Sequence, residues 1–345
     1  MDERATYQKA GVDIDVADAA KKEMAAHLDS VDPRVLNRLG PFASLFEATF
    51  PGIQAPVLVL KTEEPGSKQL LAMAHGEIRG IAYDLINHLV NDIIVMGATP
   101  LAVLDTIICG KLDKPVIVEL VRSMAQACRD QSCTLVGGET SEQPGVVPSD
   151  RFVLCASIVG VVDKSRIIDG SRIKEGDCVL GLASNGLHTN GYTLVRHLID
   201  RDSALVTRKV GDGTFLDAVL RPHLCYYAGL EELFAMPELH GLAHITGGGI
   251  GGNLNRILPE GLSASIDLGR IRPLPVFECI RDAGDIPPQE MLRTFNMGVG
   301  MALVAHPSGA DEIRRHLAEN GYASDVIGQI TPGNRTVEFH GELAW

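Results

Sequence analysis

The sequence has no Cys-x-x-Cys pair, no excess of positive charge and no long apolar run. Its seven cysteines (Cys109, Cys128, Cys133, Cys155, Cys178, Cys225 and Cys279) are scattered without zinc-like spacing; they read as buried thiols in a reducing compartment. The net charge is −13, which would repel a nucleic-acid backbone or an anionic membrane surface, so neither is expected as a partner. An anionic small molecule remains possible where a cation or a helix N-terminus masks the local charge. No stretch approaches the roughly 18 apolar residues of a spanning helix, and the N-terminus MDERATYQKA is charged from its second residue. A cytoplasmic location is the expectation. A Walker-type loop is excluded, because no Gly-x-x-x-x-Gly-Lys pattern occurs. Repeats and low-complexity tracts are absent.

What is present suits a compact chain of roughly two domains. Of 345 residues, 45% are hydrophobic and 22% charged, and the 36 glycines imply many turns. Residues 16–28 read as a first helix, and PVLVL at 56–60 as a strand running into the loop KTEEPGSKQ. Over 80–96, apolar residues at 81, 85, 86, 89, 90, 93 and 94 follow a helical period. Asp84, His88 and Asn91 line up on its other side with Asp92 further round, either a solvated face or a site. Another amphipathic helix spans 116–131, CTLVGG forms a strand delivering the polar loop ETSEQPG, and FVLCASIVGVV is a buried strand or strand pair. A turn-rich stretch near 165–175 marks the domain boundary. Beyond it, helices at 223–235 and 309–319 mix with strands SASIDL and VGMALVA, an α+β arrangement.

Several stretches carry candidate chemistry. In KTEEPGSK, Glu63 or Glu64 could hold Mg²⁺ while Lys68 meets phosphate oxygens; an exposed Pro-Gly turn is the alternative. Glu139 and Glu142 follow a double glycine at a strand end, where ligands commonly bind; an exposed acidic loop is the alternative. His188, in the glycine-flanked GLHTNG before a helix, is either a structural histidine or one placed to touch an anion or a reacting group. HITGGGIGGN matches Gly-x-Gly-x-x-Gly, but the short unit after it does not suit a Rossmann fold; what survives is phosphate cradling by backbone N–H groups. FNMGVGM is a further glycine-rich run leading into a strand.

In order, YQKAGVDID, YDLINHLVND, GGETSEQPG, GLHTNGYTLVR, HITGGGIGGN and RTFNMGVGM resemble the phosphoribosylformylglycinamidine cyclo-ligases (aminoimidazole ribonucleotide synthetases) from about Tyr7 to Gly328. The wider superfamily includes formylglycinamidine ribonucleotide synthetase, selenophosphate synthetase and thiamine-phosphate kinase. The resemblance implies an α+β chain of two α/β domains: residues 1–168 for ATP binding and dimerisation through a β-barrel shared across a homodimer, and 169–345 for binding a small ribonucleotide substrate. It implies ATP and Mg²⁺, with Glu63, Asp92 and Glu139 holding the metal and Lys68, Asp84 and Asn91 completing the nucleotide side. His188 and Asn190, with Lys68, would be the catalytic groups, and the backbone of Gly247, Gly248 and Gly249 would face phosphate. One stretch departs: where the family has Thr-Asp-Gly-Val-Gly-Thr-Lys, this chain has Thr62-Glu63-Glu64-Pro65-Gly66-Ser67-Lys68. Glu64 in place of glycine would be strained at positive φ by about 1 kcal/mol or more. Either the loop is rebuilt around Glu63, or Glu64 replaces it as ligand, or nucleotide handling differs. The competing functions are a superfamily synthetase or kinase with another substrate, and a non-catalytic nucleotide-binding dimer.

Overall fold

The computed structural model describes residues 14–28, 32–37 and 42–345, so most of YQKAGVDID lies outside the described residues. The chain forms two compact units, one of residues up to Val90 with Pro100–Val161, the other of Asn91–Thr99 with Val162–Trp345. Each combines one main sheet with helices, the α+β class.

The first unit runs α1 (Ile14–Ala25), β1 (Pro56–Glu63), α2 (Lys68–His75), α3 (Ile78–Ile94), β2 (Thr99–Cys109), α4 (Lys114–Asp130), β3 (Thr134–Glu142) and β4 (Phe152–Asp163), with the last turn of α3, the first residue of β2 and the end of β4 from Val162 grouped with the second unit. α4 shows why such segments are helical. The Asp113 side chain accepts from the Val116 N–H, a proline occupies the first turn, and Ile117, Leu120, Val121, Met124 and Cys128 recur on one buried stripe. The strands lie in the order β1-β4-β2-β3. β2 and β3 are parallel, and their ladder continues until Cys109 faces Glu142. Glu139 and Glu142 therefore sit within a strand and not in the expected loop, because pairing with β2 extends β3 past the double glycine. The sheet has two edges and is open within the described residues.

The second unit contains β5 (Cys178–Ala183), α5 (Tyr192–Arg201), the small hairpin of β6 (Lys209–Val210) and β7 (Gly213–Thr214), α6 (Phe215–Leu220), α7 (Tyr227–Leu230), β8 (Leu239–His244), α8 (Gly249–Leu254) and β9 (Leu262–Asp267). It continues with α9 (Pro275–Gly284), α10 (Pro288–Thr294), β10 (Val299–Ala305), α11 (Pro307–Glu319), β11 (Ser324–Pro332) and β12 (Val337–His340). The sheet order is β12-β9-β11-β5-β10-β8. β8 and β10 are buried at every residue, which explains the wholly apolar or small composition of β10; β8 departs from it only at His240 and His244. β10 is antiparallel to both β5 and β8, with Met301 opposite Leu182 and His244. The start of β10 thus lies beside the ends of β5 and β8. That pairing gathers FNMGVGM (295–301), GLHTNG (186–191) and HITGGG (244–249) at one end of one sheet, although they are well separated along the chain.

The expected helix at 223–235 begins only at Tyr227 and tightens to 3₁₀ geometry over Glu231–Ala235. Residues before it are held otherwise: Asn91 donates through Nδ2 to the Leu224 carbonyl at 2.8 Å and accepts the Tyr226 N–H at 2.9 Å.

Candidate active site

In the first unit, the loop after β1 is rebuilt. The left-handed position falls on Gly66, at φ 65°, and Glu64 is not among the residues at positive φ. The Glu64 carboxylate instead accepts the Gly66 N–H at 2.6 Å, and Pro65 is buried. Glu64 is thus occupied in forming the turn, and the expected strain is not incurred. Glu63 pairs with Lys61 at 2.9 Å, with the His88 ring 3.9 Å away. Lys68 opens α2 and is 1% exposed, its Nζ 2.8 Å from each oxygen of the equally buried Asp84. Burial pushes the Lys68 pKa below its ordinary value, against the opposing pull of Asp84. The polar side of α3 is therefore interior: Asp84, His88 and Asn91 are all buried, which rules out a solvated face.

Glu139 is exposed on the edge strand β3, opposite Thr106. Beneath it lies a residue that sequence reasoning missed. Asp105, on β2, is 5% exposed; burial pushes its carboxyl up to about 7, and the nearby charge of Glu139 adds to the rise. Gly138 makes room for it, since a Cβ there would lie 2.2 Å from Asp105 Oδ1. One charge in the apolar run PLAVLDTIIC was the available signal. Among the described residues of this unit, no three carboxylates or imidazoles gather as a ligand group. A cavity of about 700 Å³ lined by His27, Asp32, Arg34, Glu47, Arg129 and Thr134 holds none of the expected site residues.

In the second unit, the sheet end carries a chain of four side chains. Asp92 Oδ1 lies 2.7 Å from His244 Nδ1, and His244 Nε2 lies 3.0 Å from His223 Nε2. The His223 ring stacks on His188 with centroids 3.9 Å apart, and Tyr226 meets His188 edge-on at 6.2 Å. All three histidines are buried. His188 sits at φ 62°, an uncommon conformation for a residue with a Cβ and one found disproportionately at functional sites. His223 was missed because RPHLCYY carries no local pattern; only the fold brings it to His188.

The glycine-rich runs have specific duties here. Asn253 donates to the carbonyls of Thr246, Gly247 and Gly249, holding the 246–249 turn. Gly249, at φ 61°, passes so close to α10 that a Cβ would meet the Leu292 carbonyl at 2.0 Å. Gly248 is also left-handed, at φ 98°. Asn190 lies against Gly247, with its Oδ1 3.4 Å from where a Cβ would stand, and its Nδ2 is a buried donor without a partner among the described residues. Asn296 donates to the Gly186 carbonyl at 2.9 Å and accepts the Gly298 N–H at 2.9 Å, tying the His188 loop to the start of β10. A Cβ at Gly300 would lie 1.9 Å from Tyr226 Oη and 2.5 Å from His188 Cε1. Gly300→Ala is therefore expected to lower stability by about 1–3 kcal/mol through overpacking; an unchanged melting temperature would refute this account of the His188 surroundings.

The structure thus brings together His188, Asn190 and Gly247, places Asn91 as a clamp on the 224–226 turn, and ties Asp92 to His244. Lys68 and Asp84 form a buried pair in the first unit.

Fold and matching domains define a class. Residues 53–162 match the N-terminal domain of the AIR synthase related proteins, and residues 174–341 match their C-terminal domain. Within that class, the chain is 39% identical over 328 residues to the phosphoribosylformylglycinamidine cyclo-ligase of Nitrosococcus oceani, covering 95% of this chain and 92% of that protein. It is 40% identical over 339 residues to the cyclo-ligase of Carboxydothermus hydrogenoformans, covering 97% and 98%. The chain belongs to the phosphoribosylformylglycinamidine cyclo-ligase family. The fold is shared more widely: the hydrogenase maturation protein HypE, solved in complex with ATP, superposes with a TM-score of 0.63 at 19% identity, covering 92% of this chain and 88% of that one. No helix among the described residues is long and apolar enough to cross a membrane.

Proposed function

We infer that this chain catalyses the ATP-dependent ring closure of formylglycinamidine ribonucleotide to aminoimidazole ribonucleotide, with release of ADP and phosphate. Family membership sets the reaction, and one structural observation carries its location. Asn190 lies against Gly247, at the sheet end where the His188 loop and the glycine-rich turn meet, and its buried Nδ2 has no partner among the described residues. A buried donor left without an acceptor costs about 1–3 kcal/mol, and a substrate oxygen would recover it.

The chemistry follows from leaving groups. An amide oxygen is a poor leaving group, so the formamide oxygen first takes the γ-phosphoryl group of ATP, releasing ADP. The substrate's amidine-side nitrogen then attacks the same carbon, and the oxygen departs as phosphate when the ring closes. Positioning and charge neutralisation dominate such a reaction. His188 and Asn190 orient the ribonucleotide, and the backbone of Gly247, Gly248 and Gly249 faces phosphate. Lys68 and Asp84 support the nucleotide side from within the first unit, where Lys68 reaches a phosphate only by leaving Asp84. Asn91 acts by fixing the 224–226 turn.

Carboxylate oxygens suit Mg²⁺, and exposed Glu139 is available to it. Glu63 and Glu139, both of the first unit, would hold that ion, which supplies neutralisation of the phosphate oxygens; Asp92 is instead engaged by His244 within the second unit. The exposed apolar residues Leu58 and Leu60 of β1, Leu104 of β2 and Val153 of β4 support a homodimer in which two open sheets complete one barrel. The proposed setting is the cytoplasm.

Incubating the protein with ATP, Mg²⁺ and formylglycinamidine ribonucleotide should yield ADP and the imidazole product together. ADP formed only with another acceptor would move the protein to a different substrate; neither product nor nucleotide binding would leave a non-catalytic dimer. Glu139→Gln should raise the Mg²⁺ needed for half-maximal turnover by about tenfold or more, and an unchanged requirement would remove Glu139 from the metal set.

A further inference from the structure

The three buried imidazoles of the second unit suit an ion that the ring-closing reaction does not call for. Their ligand nitrogens all lie within 4.8 Å of one another. His244 Nε2 and His223 Nε2 face each other at 3.0 Å. Two nitrogens bound to one ion at about 2.1 Å, and about 90–110° apart, are separated by about 3.0–3.4 Å. That edge of a coordination polyhedron is therefore already in place. On its far side, His244 Nδ1 is 2.7 Å from the Asp92 carboxylate. A carboxylate there holds the ring proton on Nδ1, which leaves the Nε2 lone pair directed at His223; metal-binding histidines commonly carry such a support. His188, stacked on His223, lies nearly parallel to it and must swing off the stack to supply a third nitrogen.

We propose that His188, His223 and His244 form a binding site for a divalent transition cation of the zinc, cobalt and nickel class, with Asp92 orienting His244. Neutral imidazole favours these ions, whereas Mg²⁺ takes oxygen ligands, so this site is distinct in chemistry from the magnesium set. An ion held there joins three segments that are remote in sequence and adjoin only at the end of the sheet: the loop after β5, the turn before α7 and the end of β8. Occupancy stabilises the folded chain in proportion to the logarithm of ion concentration over Kd.

The test uses the full chain stripped of metal and titrated with Co²⁺, followed by visible absorbance, with Zn²⁺ as competitor. One equivalent should bind per chain with a Kd of about 1 µM or tighter, giving nitrogen-ligand bands without thiolate charge transfer and raising the melting temperature. His223→Gln should weaken binding by at least about 100-fold, and Asp92→Asn, which keeps all three imidazoles, by about 10–100-fold. Failure of the folded wild-type chain to bind either ion at about 100 µM overturns the proposal and leaves the histidines as a hydrogen-bonded stack. Undiminished binding in His223→Gln, with a wild-type circular dichroism spectrum, overturns it by placing the ion elsewhere. Both outcomes are independent of turnover with ATP.

Discussion

Lys68→Met is expected to destabilise the protein by about 3–5 kcal/mol, and Asp84→Leu by a similar amount. Each oxygen of Asp84 is 2.8 Å from Lys68 Nζ, and both side chains are essentially inaccessible to water. Removing either partner leaves the other charge, or its forced neutral form, in a place that cannot hydrate it. The double variant should recover most of the loss, because two apolar side chains of similar size need no solvation. A double-mutant cycle by urea denaturation measures the coupling. A coupling energy under about 1 kcal/mol, the range of an exposed pair, would mean that water reaches this ion pair. Position strengthens the argument: Lys68 begins α2 directly after the rebuilt turn, and Asp84 projects from α3, so the pair joins the first two helices that follow β1.

Stability should also fall between acid and neutral pH because of Asp105. Its folded pKa, about 7, lies above the ordinary 3.8 because burial disfavours the charge, with Glu139 adding to the effect. A group raised in this way contributes stability that is fully present below about pH 4, declines as pH rises and is lost through about pH 7. The difference sets a ceiling of about 4 kcal/mol. Asp105→Asn cannot titrate and should abolish this component, so that the variant gains on wild type as pH rises from about 4 to about 8. Denaturation curves without divalent ions test it. A wild-type-to-variant difference that stays constant over that range would show that Asp105 is ionised in the folded protein throughout.

These two buried carboxylates mark where reading the chain succeeds and where it stops. The period of 80–96 was enough to place a helix and to align Asp84, His88 and Asn91 on one side of it, because a helix converts spacing directly into direction. Whether that side met water was undecidable from spacing, since a solvated face and a buried polar face share one pattern. The unusual KTEEPGSK loop was identified by its departure from the family sequence. Its resolution, with Gly66 taking the left-handed position and Glu64 closing the turn, needed the backbone. Asp105 and His223 escaped notice for a simpler reason: neither sits in a motif, and each owes its importance to a neighbour on another strand or loop.

By itself the sequence determined the α+β class, most of the helices and strands, the order of the family's glycine-rich and acidic motifs, and with them membership of the cyclo-ligases. Those properties are local or cumulative: side-chain period, turn chemistry and motif order are written along the chain. The tertiary structure alone decided that Asn91 clamps a turn, that Glu139 lies in a strand, that Lys68 is sealed against Asp84, and that His244, His223 and His188 follow one another behind Asp92. Such facts depend on distances between residues far apart in sequence. Those distances are set by strand register and by burial, as the antiparallel seating of β10 between β5 and β8 shows.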